Sequence, residues 1–392
     1  MRLGSWMEFD PAATLLAAFT GAQVTEATAR RQTEAAGAIL VAWQEQEAAR
    51  LERECPPAPA GPAQQFFSAD GAFVPLLHGE WAEVKTLALG EIGAPVEKEG
   101  EWVAPTRELS YFSRLADADT FSRLALIETQ RRGTESAGAV AAVTDGAEWV
   151  QGFIDFHRPD AVRILDFPPA AQRLAPIAQA VWGTASTMAT TWVAERTKQL
   201  KEQGPAALLT EIAALCQAHP EAEGLAEHAG YLQKREGQMQ YPTYRAAGLP
   251  IGSGPVESAN KLVVEARLKG AGMHWERRHV DPMLALRCAV CSDRWEEAWE
   301  VMARGLREQA GQRGAARRER RAPATEGAEE TPVRAAALEP PAAGGEAPAA
   351  GGKPGAGAGA AGRRPAADHP WRRFHIGRAT DPPRAVMLRA KQ

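Results

Sequence analysis

Two short apolar runs constrain this chain most, residues 139–144 (AVAAVT) and residues 161–167 (AVRILDF). Each is compact, short for a helix, and apolar at most positions, the text of a buried strand. Between them residues 146–156 read as a helix. Strand, helix and strand in that order imply a parallel pair covered on both faces.

The text before these runs is also strand-like. Residues 65–77 are aromatic and β-branched, and Trp81, Val84, Leu87, Leu89 and Ile92 continue the pattern with imperfect alternation. This spacing predicts three short strands in a meander over residues 64–92. Residues 117–132 are helical in pattern, with Phe121, Leu124, Ala125 and Ile127 on one side. Ahead of them, residues 11–53 have helical spacing and end at a Pro-rich boundary, residues 55–61. From residue 169 to about 240 the text is helical throughout, broken at Gly204-Pro205 and His219-Pro220. A Gly/Pro loop at 248–255 follows, and helix resumes at Pro255 and again over 279–310. The expected organisation is a helical N-terminal segment (1–60), an α/β core in two parts (61–168 and 248–305), a helical insertion between them (169–247), and a basic, then low-complexity tail (306–392). Residues 322–368 are Ala, Gly, Pro and Glu with almost no large apolar residue, so disorder is expected there.

Composition narrows the class. The 392 residues carry 45 Lys+Arg against 49 Asp+Glu, a formal net charge of −4, which excludes a uniformly basic nucleic-acid coat but not local basic patches. No stretch approaches the roughly 18–20 apolar residues of a membrane helix, and no signal peptide precedes the first helix. Four cysteines in this length fit a reducing cytoplasm better than a disulfide scaffold.

Three acidic residues fall near element ends. Asp70 lies in the first strand, Asp145 directly follows residues 139–144, and Glu257 lies in the first turn of the helix after GSGP. Carboxylates gathered from strand ends and a helix are hard oxygen ligands suited to Mg²⁺, and paired ions serve phosphoryl transfer. Each also has a plain structural reading. Asp70-Gly71 is a common hairpin turn, Asp145-Gly146 a helix cap, and Glu257 a charge favourable at a helix N-terminus.

The surrounding text adds a resemblance. The segments DGAFVP (70–75), GEWAEVK (79–85), TDGAEW (144–149), ILDF (164–167), PIGSGPVESANK (250–261) and RLKGAGMHW (267–275) occur in this order. Together they resemble the transposases of ISKra-group bacterial insertion sequences, relatives of the Mutator-like DDE superfamily, over roughly residues 64–300. The resemblance implies an RNase H-like mixed sheet with an all-helical insertion, and Asp70, Asp145 and Glu257 as catalytic residues binding two Mg²⁺ or Mn²⁺ ions. It also implies DNA partners, namely terminal inverted repeats and target DNA, with a homodimer in a synaptic complex. No membrane role follows, and the expected location is the cytoplasm, at the nucleoid.

One departure stands out. Related transposases carry Asp-x-x-His on the strand after the second Asp, whereas Asp166 here is followed by Phe167, Pro168 and Pro169. Asp166 is a site-shaping candidate; Pro169 either weakens the site or simply starts the next helix. No Cys/His zinc arrangement precedes Asp70, only Cys55, which is compatible with a fragmentary gene. The competing reading is therefore an inactive or truncated remnant that only binds DNA. Lys261, Arg267 and Lys269 are candidates for phosphate contact, and His274-Trp275 for stacking on an unpaired base; surface charge and a core Trp are the plain alternatives. Cys288-x-x-Cys291 lacks a second ligand pair and reads as core thiols rather than zinc. The arginines from Arg304 to Arg321 would add salt-dependent, sequence-independent DNA affinity.

Overall fold

A mixed α/β architecture is built on a five-stranded open sheet, as the apolar runs require. The computed structural model describes residues 1–98 and 100–321. The strands are β1 (Gln64–Pro75), β2 (Trp81–Ile92), β3 (Val96–Lys98), β4 (Glu101–Val103), β5 (Thr106–Arg114), β6 (Ala139–Thr144) and β7 (Val162–Leu165). The main sheet has the order β5-β2-β1-β6-β7, while β3 and β4 form a separate ribbon between β2 and β5. The β1–β2 and β2–β5 pairs are antiparallel, and β1–β6 and β6–β7 are parallel.

The meander differs from its expected outline. β1 and β2 are single strands of 12 residues each, and the third strand is β5, beyond residue 92. Asp70-Gly71 is not the hairpin turn. It lies inside the ladder, Asp70 opposite Thr86 and Gly71 opposite Lys85. The chain reverses instead at residues 76–80, where His78 (φ 66°) and Gly79 (φ 80°) supply the left-handed conformations.

Alternate strand residues feed two cores, one on each face. On one face Phe67, Ala69, Leu87, Leu89, Phe112, Val140 and Ala142 pack beneath α4 (Ala118–Arg131) and α5 (Glu148–His157). Phe121 and Phe153 stack there with ring centroids 5.1 Å apart. Each such ring, fully buried, stabilises the fold by roughly 1.5–3 kcal/mol. On the other face Phe66, Val84, Ala88, Ala141, Val143 and Ile164 join a larger core with the remaining helices.

Helices α1 (Arg2–Trp6), α2 (Phe9–Thr20) and α3 (Glu26–Glu54) precede the sheet. Arg267 and Arg287 donate to the carbonyls of Gly4 and Ser5, both at 3.0 Å, and so tie α1 to the core. After β7 come α6 (Phe167–Gln172), α7 (Leu174–Trp182), α8 (Thr187–Gln203), α9 (Ala206–Ala218), α10 (Leu225–Lys234) and α11 (Tyr241–Ala246), the all-helical insertion. Pro168 and Pro169 occupy the first turn of α6, where a missing N–H costs nothing. Next, α12 (Gly254–Ala259), a π-helical turn (Asn260–Glu265) and α13 (Ala266–Leu268) make one continuous helical stretch. Helices α14 (Arg277–Cys291) and α15 (Trp295–Arg321) follow.

The helix α15 runs to Arg321, so the basic run placed in a tail by sequence lies on a helix. Arg304, Arg307, Arg313, Arg317 and Arg318 are exposed along it. The low-complexity stretch expected over residues 322–368 lies outside the described residues. Among the described residues, no helix is long and apolar enough to cross a membrane.

Candidate active site

The parallel pairing of β1 and β6 brings two of the three acids to one end of the sheet. Their register runs from Gln64↔Ala139 to Phe67↔Ala142, and Ser68 Oγ extends it by donating to the Val143 carbonyl at 2.5 Å. Continuing the register sets Asp70 level with Asp145, at the carboxyl end of β6. Strand ends of this kind are the usual place for a site in α/β sheets. Asp166 directly follows β7, and its N–H donates to the Thr144 carbonyl at 2.7 Å. Glu257 arrives on α12, behind the Gly252-Ser253-Gly254 loop.

Asp70 is half-buried, and both its oxygens are engaged. Oδ1 accepts from the Gly71 N–H at 2.7 Å and Oδ2 from Asn260 Nδ2 at 2.8 Å. Burial pushes its carboxyl up, the Gly71 hydrogen bond opposes this, and the charges of Asp145 and Glu257 push it up further. Asp145 is exposed, and its Oδ1 accepts from the Ala147 N–H at 2.9 Å at the entrance to α5. That is an Asx turn leading into α5, not the helix cap of the plain reading, since the N-cap residue is Ala147 and has no side-chain cap. Glu257 is exposed in the first turn of α12. Asn260, three positions on, opens the π-helical turn, a feature frequent at functional sites.

Asp166 is 1% exposed and accepts a short hydrogen bond from Ser253 Oγ. This bond joins the end of β7 to the loop that aims Glu257. Burial raises the Asp166 carboxyl, the Ser253 bond counteracts, and the Glu257 charge adds to the rise. The Phe167 N–H reaches the Ile251 carbonyl at 3.0 Å, a second tie to the same loop. With Pro169 committed to α6, Ser253 is the side chain that Asp166 engages.

Among the described residues, no three His, Cys, Asp or Glu side chains converge closely enough to hold a metal ion as they stand.

The residues expected to touch DNA divide into two groups. Lys261 and His274 are exposed, and Lys269 is half-buried in an ion pair with Glu265 at 2.8 Å. Arg267 and Trp275 are inside instead, 2% and 7% exposed. The Arg267 guanidinium lies between the rings of Phe9 (4.6 Å) and Trp275 (5.1 Å), and Trp275 Nε1 donates to the Leu268 carbonyl at 3.1 Å. Burial lowers the Arg267 pKa to about 10. Both pack against Phe9, and a cavity shared with exposed His274 borders them. Cys288 is buried with its thiol pushed up to about 12, and Cys291 is half-buried; both are free.

Sequence reasoning missed the partners that α10 and its C-cap residue Arg235 supply. Tyr231 Oη donates to the Asp145 carbonyl at 2.6 Å, and Arg235 Nη2 donates to the Gly146 carbonyl at 2.5 Å. Buried Tyr241 donates to the Leu165 carbonyl at 2.9 Å. Burial raises the hydroxyls of both tyrosines, keeping them protonated donors. No periodicity singles out such residues, because their partners are 86 and 76 positions away. No protein-family model matches the chain, and no curated protein matches it.

Proposed function

We propose that this chain is a DDE-type DNA transposase of the kind its motifs resemble, with an RNase H-like core that cleaves and transfers the strands of an insertion sequence. The observation that carries the reading is geometric: the β1–β6 register sets Asp70 level with Asp145 at one end of the sheet, and Asn260, three positions after Glu257, donates to Asp70 at 2.8 Å. Burial raises the Asp70 carboxyl and the charges of Asp145 and Glu257 add to the rise, a field that a bound cation would relieve. Supporting the core assignment, three antiparallel strands are followed by two parallel ones, and an all-helical insertion separates β7 from the helix of Glu257.

The donor set fits Mg²⁺ or Mn²⁺. Asp70, Asp145 and Glu257 are hard oxygen ligands, and Asn260 Oδ1 beside Asp70 is a buried oxygen with no hydrogen-bond donor. These three carboxylates would hold the ions, which supply Lewis acidity for the attacking and leaving oxygens of a phosphodiester. The chain's own groups do the rest. Gly71 N–H and Asn260 orient Asp70, and the Ser253–Asp166 bond fixes the approach of Glu257. Exposed Lys261 and the arginines of α15 offer cations to the DNA backbone, a contact that positions without reading sequence. Terminal inverted repeats and target DNA are the substrates, and a homodimer that synapses two ends is the expected assembly.

The test is cleavage of a labelled duplex carrying the sequences that flank this gene. Wild-type protein with Mg²⁺ should nick it, and Asp145→Ala should lose roughly 10³-fold or more of that rate. Tight DNA binding without nicking in either protein would instead identify a remnant that only binds.

A further inference from the structure

Asp145 has an unusual position for a residue on which chemistry depends. It is exposed, it lies past the last strand pair of β6, and its carboxylate bonds only to the Ala147 N–H two residues on. The sheet therefore does not hold it. The contacts that do hold its backbone come from the insertion: Tyr231 Oη on the Asp145 carbonyl and Arg235 Nη2 on the Gly146 carbonyl. The Tyr231 ring is itself fixed between two guanidiniums, Arg173 at 4.2 Å and Arg235 at 3.9 Å from its centroid. Gly146 adopts φ +83°, and a Cβ there would stand 2.4 Å from Arg235 Nε, so a glycine is what allows the guanidinium to close on this loop.

We propose that Tyr231 and Arg235 are positioning residues for Asp145, by which the helical insertion sets the carboxylate against Asp70. This rests on the transposase reading above. The physical argument is one of tolerance. A ligating carboxylate must be held within about 0.5 Å of its working geometry, and a residue beyond the ladder acquires that precision only from partners such as these. Outer partners of a metal site typically contribute about 10–100-fold to metal affinity or activity. The nearby Lys234–Glu148 pair at 3.1 Å joins the same two elements through exposed side chains and does not touch the Asp145 or Gly146 backbone. It separates positioning from simple attachment.

The experiment compares wild type with Tyr231→Phe, Arg235→Gln, Arg235→Lys and Lys234→Ala. Five quantities are read: Mn²⁺ binding by paramagnetic resonance without DNA, nicking kinetics across Mn²⁺ concentrations, amide hydrogen exchange, DNA Kd and Tm. Tyr231→Phe and Arg235→Gln should each weaken Mn²⁺ binding about 10-fold and cut kcat about 10–100-fold, with DNA Kd unchanged. Faster exchange should be confined to residues 145–149. Arg235→Lys, which keeps the charge beside the ring, should fall between wild type and Arg235→Gln, and Lys234→Ala should match wild type. If the Tyr231 and Arg235 variants lower Tm but leave Mn²⁺ binding and kcat intact, the positioning role is overturned and the transposase reading survives. If wild type itself neither binds Mn²⁺ nor nicks, both are overturned. Should Tyr231→Phe fail to fold, the Arg235→Lys and Arg235→Gln pair carries the same comparison.

Discussion

The chain contains two Asp-Gly pairs among its candidate site residues, spelled alike and built differently. Asp70-Gly71 is inside β1, with neighbours on β2 opposite both residues. Asp145-Gly146 lies past the end of β6, in a left-handed bend, held by α10. The first acid is half-buried and fixed by the sheet together with Asn260; the second is exposed and fixed from a distant part of the chain. One arm of the site thus inherits the rigidity of a β-ladder. The other depends on how the insertion docks, and it should respond first to anything that disturbs the elements around it.

The largest effect expected on that contrast comes from acid. His157 closes α5, the helix that leads away from Asp145. It packs against Phe153 (4.5 Å between ring centroids) and Phe156 (4.9 Å), its Nδ1 meets Thr129 Oγ1 at 3.2 Å, and its Nε2 has no partner. Burial drives its pKa from 6.5 to about 3. Below pH 6.5 the unfolded chain takes up a proton that the folded chain refuses, so stability is full above 6.5 and falls as pH drops toward 3. The slope is at most about 1.4 kcal/mol per pH unit, or about 3 kcal/mol by pH 4. Denaturant melts at pH 7, 5.5 and 4 should show this loss, and His157→Phe should flatten it. Hydrogen exchange should rise across residues 145–157 before it rises in β1. Equal slopes in the two proteins would remove His157 as the weak point of the Asp145 arm.

How much of this was written in the sequence follows the same division. The parallel pair was legible because residues 139–144 and 161–167 are apolar on both faces, which a sheet covered by helices demands. The insertion was legible because Gly204-Pro205 and His219-Pro220 mark its internal breaks. The hairpin was harder. Asp70-Gly71 has turn chemistry, yet tertiary pairing with Thr86 and Lys85 overrides it, and the reversal falls at His78-Gly79. Arg267 reads as a phosphate contact or surface charge, and Trp275 as either a stacking or a core ring, because α2, which brings Phe9 against both, comes from the far end of the chain. Tyr231 and Arg235 were invisible for the same reason: a residue whose partner is a backbone carbonyl 86 or 89 positions away leaves no local pattern.

Adding one methyl group to each pair tests the contrast directly. Gly146→Ala forces a left-handed residue and meets Arg235 Nε, part of a guanidinium already committed to the Gly146 carbonyl. About 2 kcal/mol of destabilisation is expected. Gly71→Ala meets Glu83 Oε1 at 2.3 Å, the far end of a side chain that can swing away, although Glu83 then loosens its 2.8 Å contact with Lys85. Lys85 keeps the Ala116 carbonyl at 3.2 Å, so the net cost should stay below about 1 kcal/mol. Denaturant melts of the two variants give the ranking, and a larger loss at Gly71 reverses the assignment of rigid and dependent arms.

The smallest effect is the most informative about the site itself. Asp70 has its pKa raised by burial and by the charges of Asp145 and Glu257, so its ionised form is a net cost to the folded state. That cost is present in full above the folded pKa and fades as pH falls toward the unfolded value of 3.8. Asp70→Asn removes it at neutral pH. The new amide can still accept from the Gly71 N–H, and Asn260, whose Oδ1 has no partner, can turn that oxygen to receive the amide's own hydrogens. In metal-free buffer at pH 7 the variant should melt a few degrees above wild type, and with Mg²⁺ added it should fail to nick. Asp145→Asn, at an exposed residue, should lose nicking with little change in Tm. Calorimetry on the two variants decides the point. Equal melting temperatures would mean that burial and the neighbouring charges together impose no net cost on ionised Asp70, leaving it an ordinary half-buried strand residue.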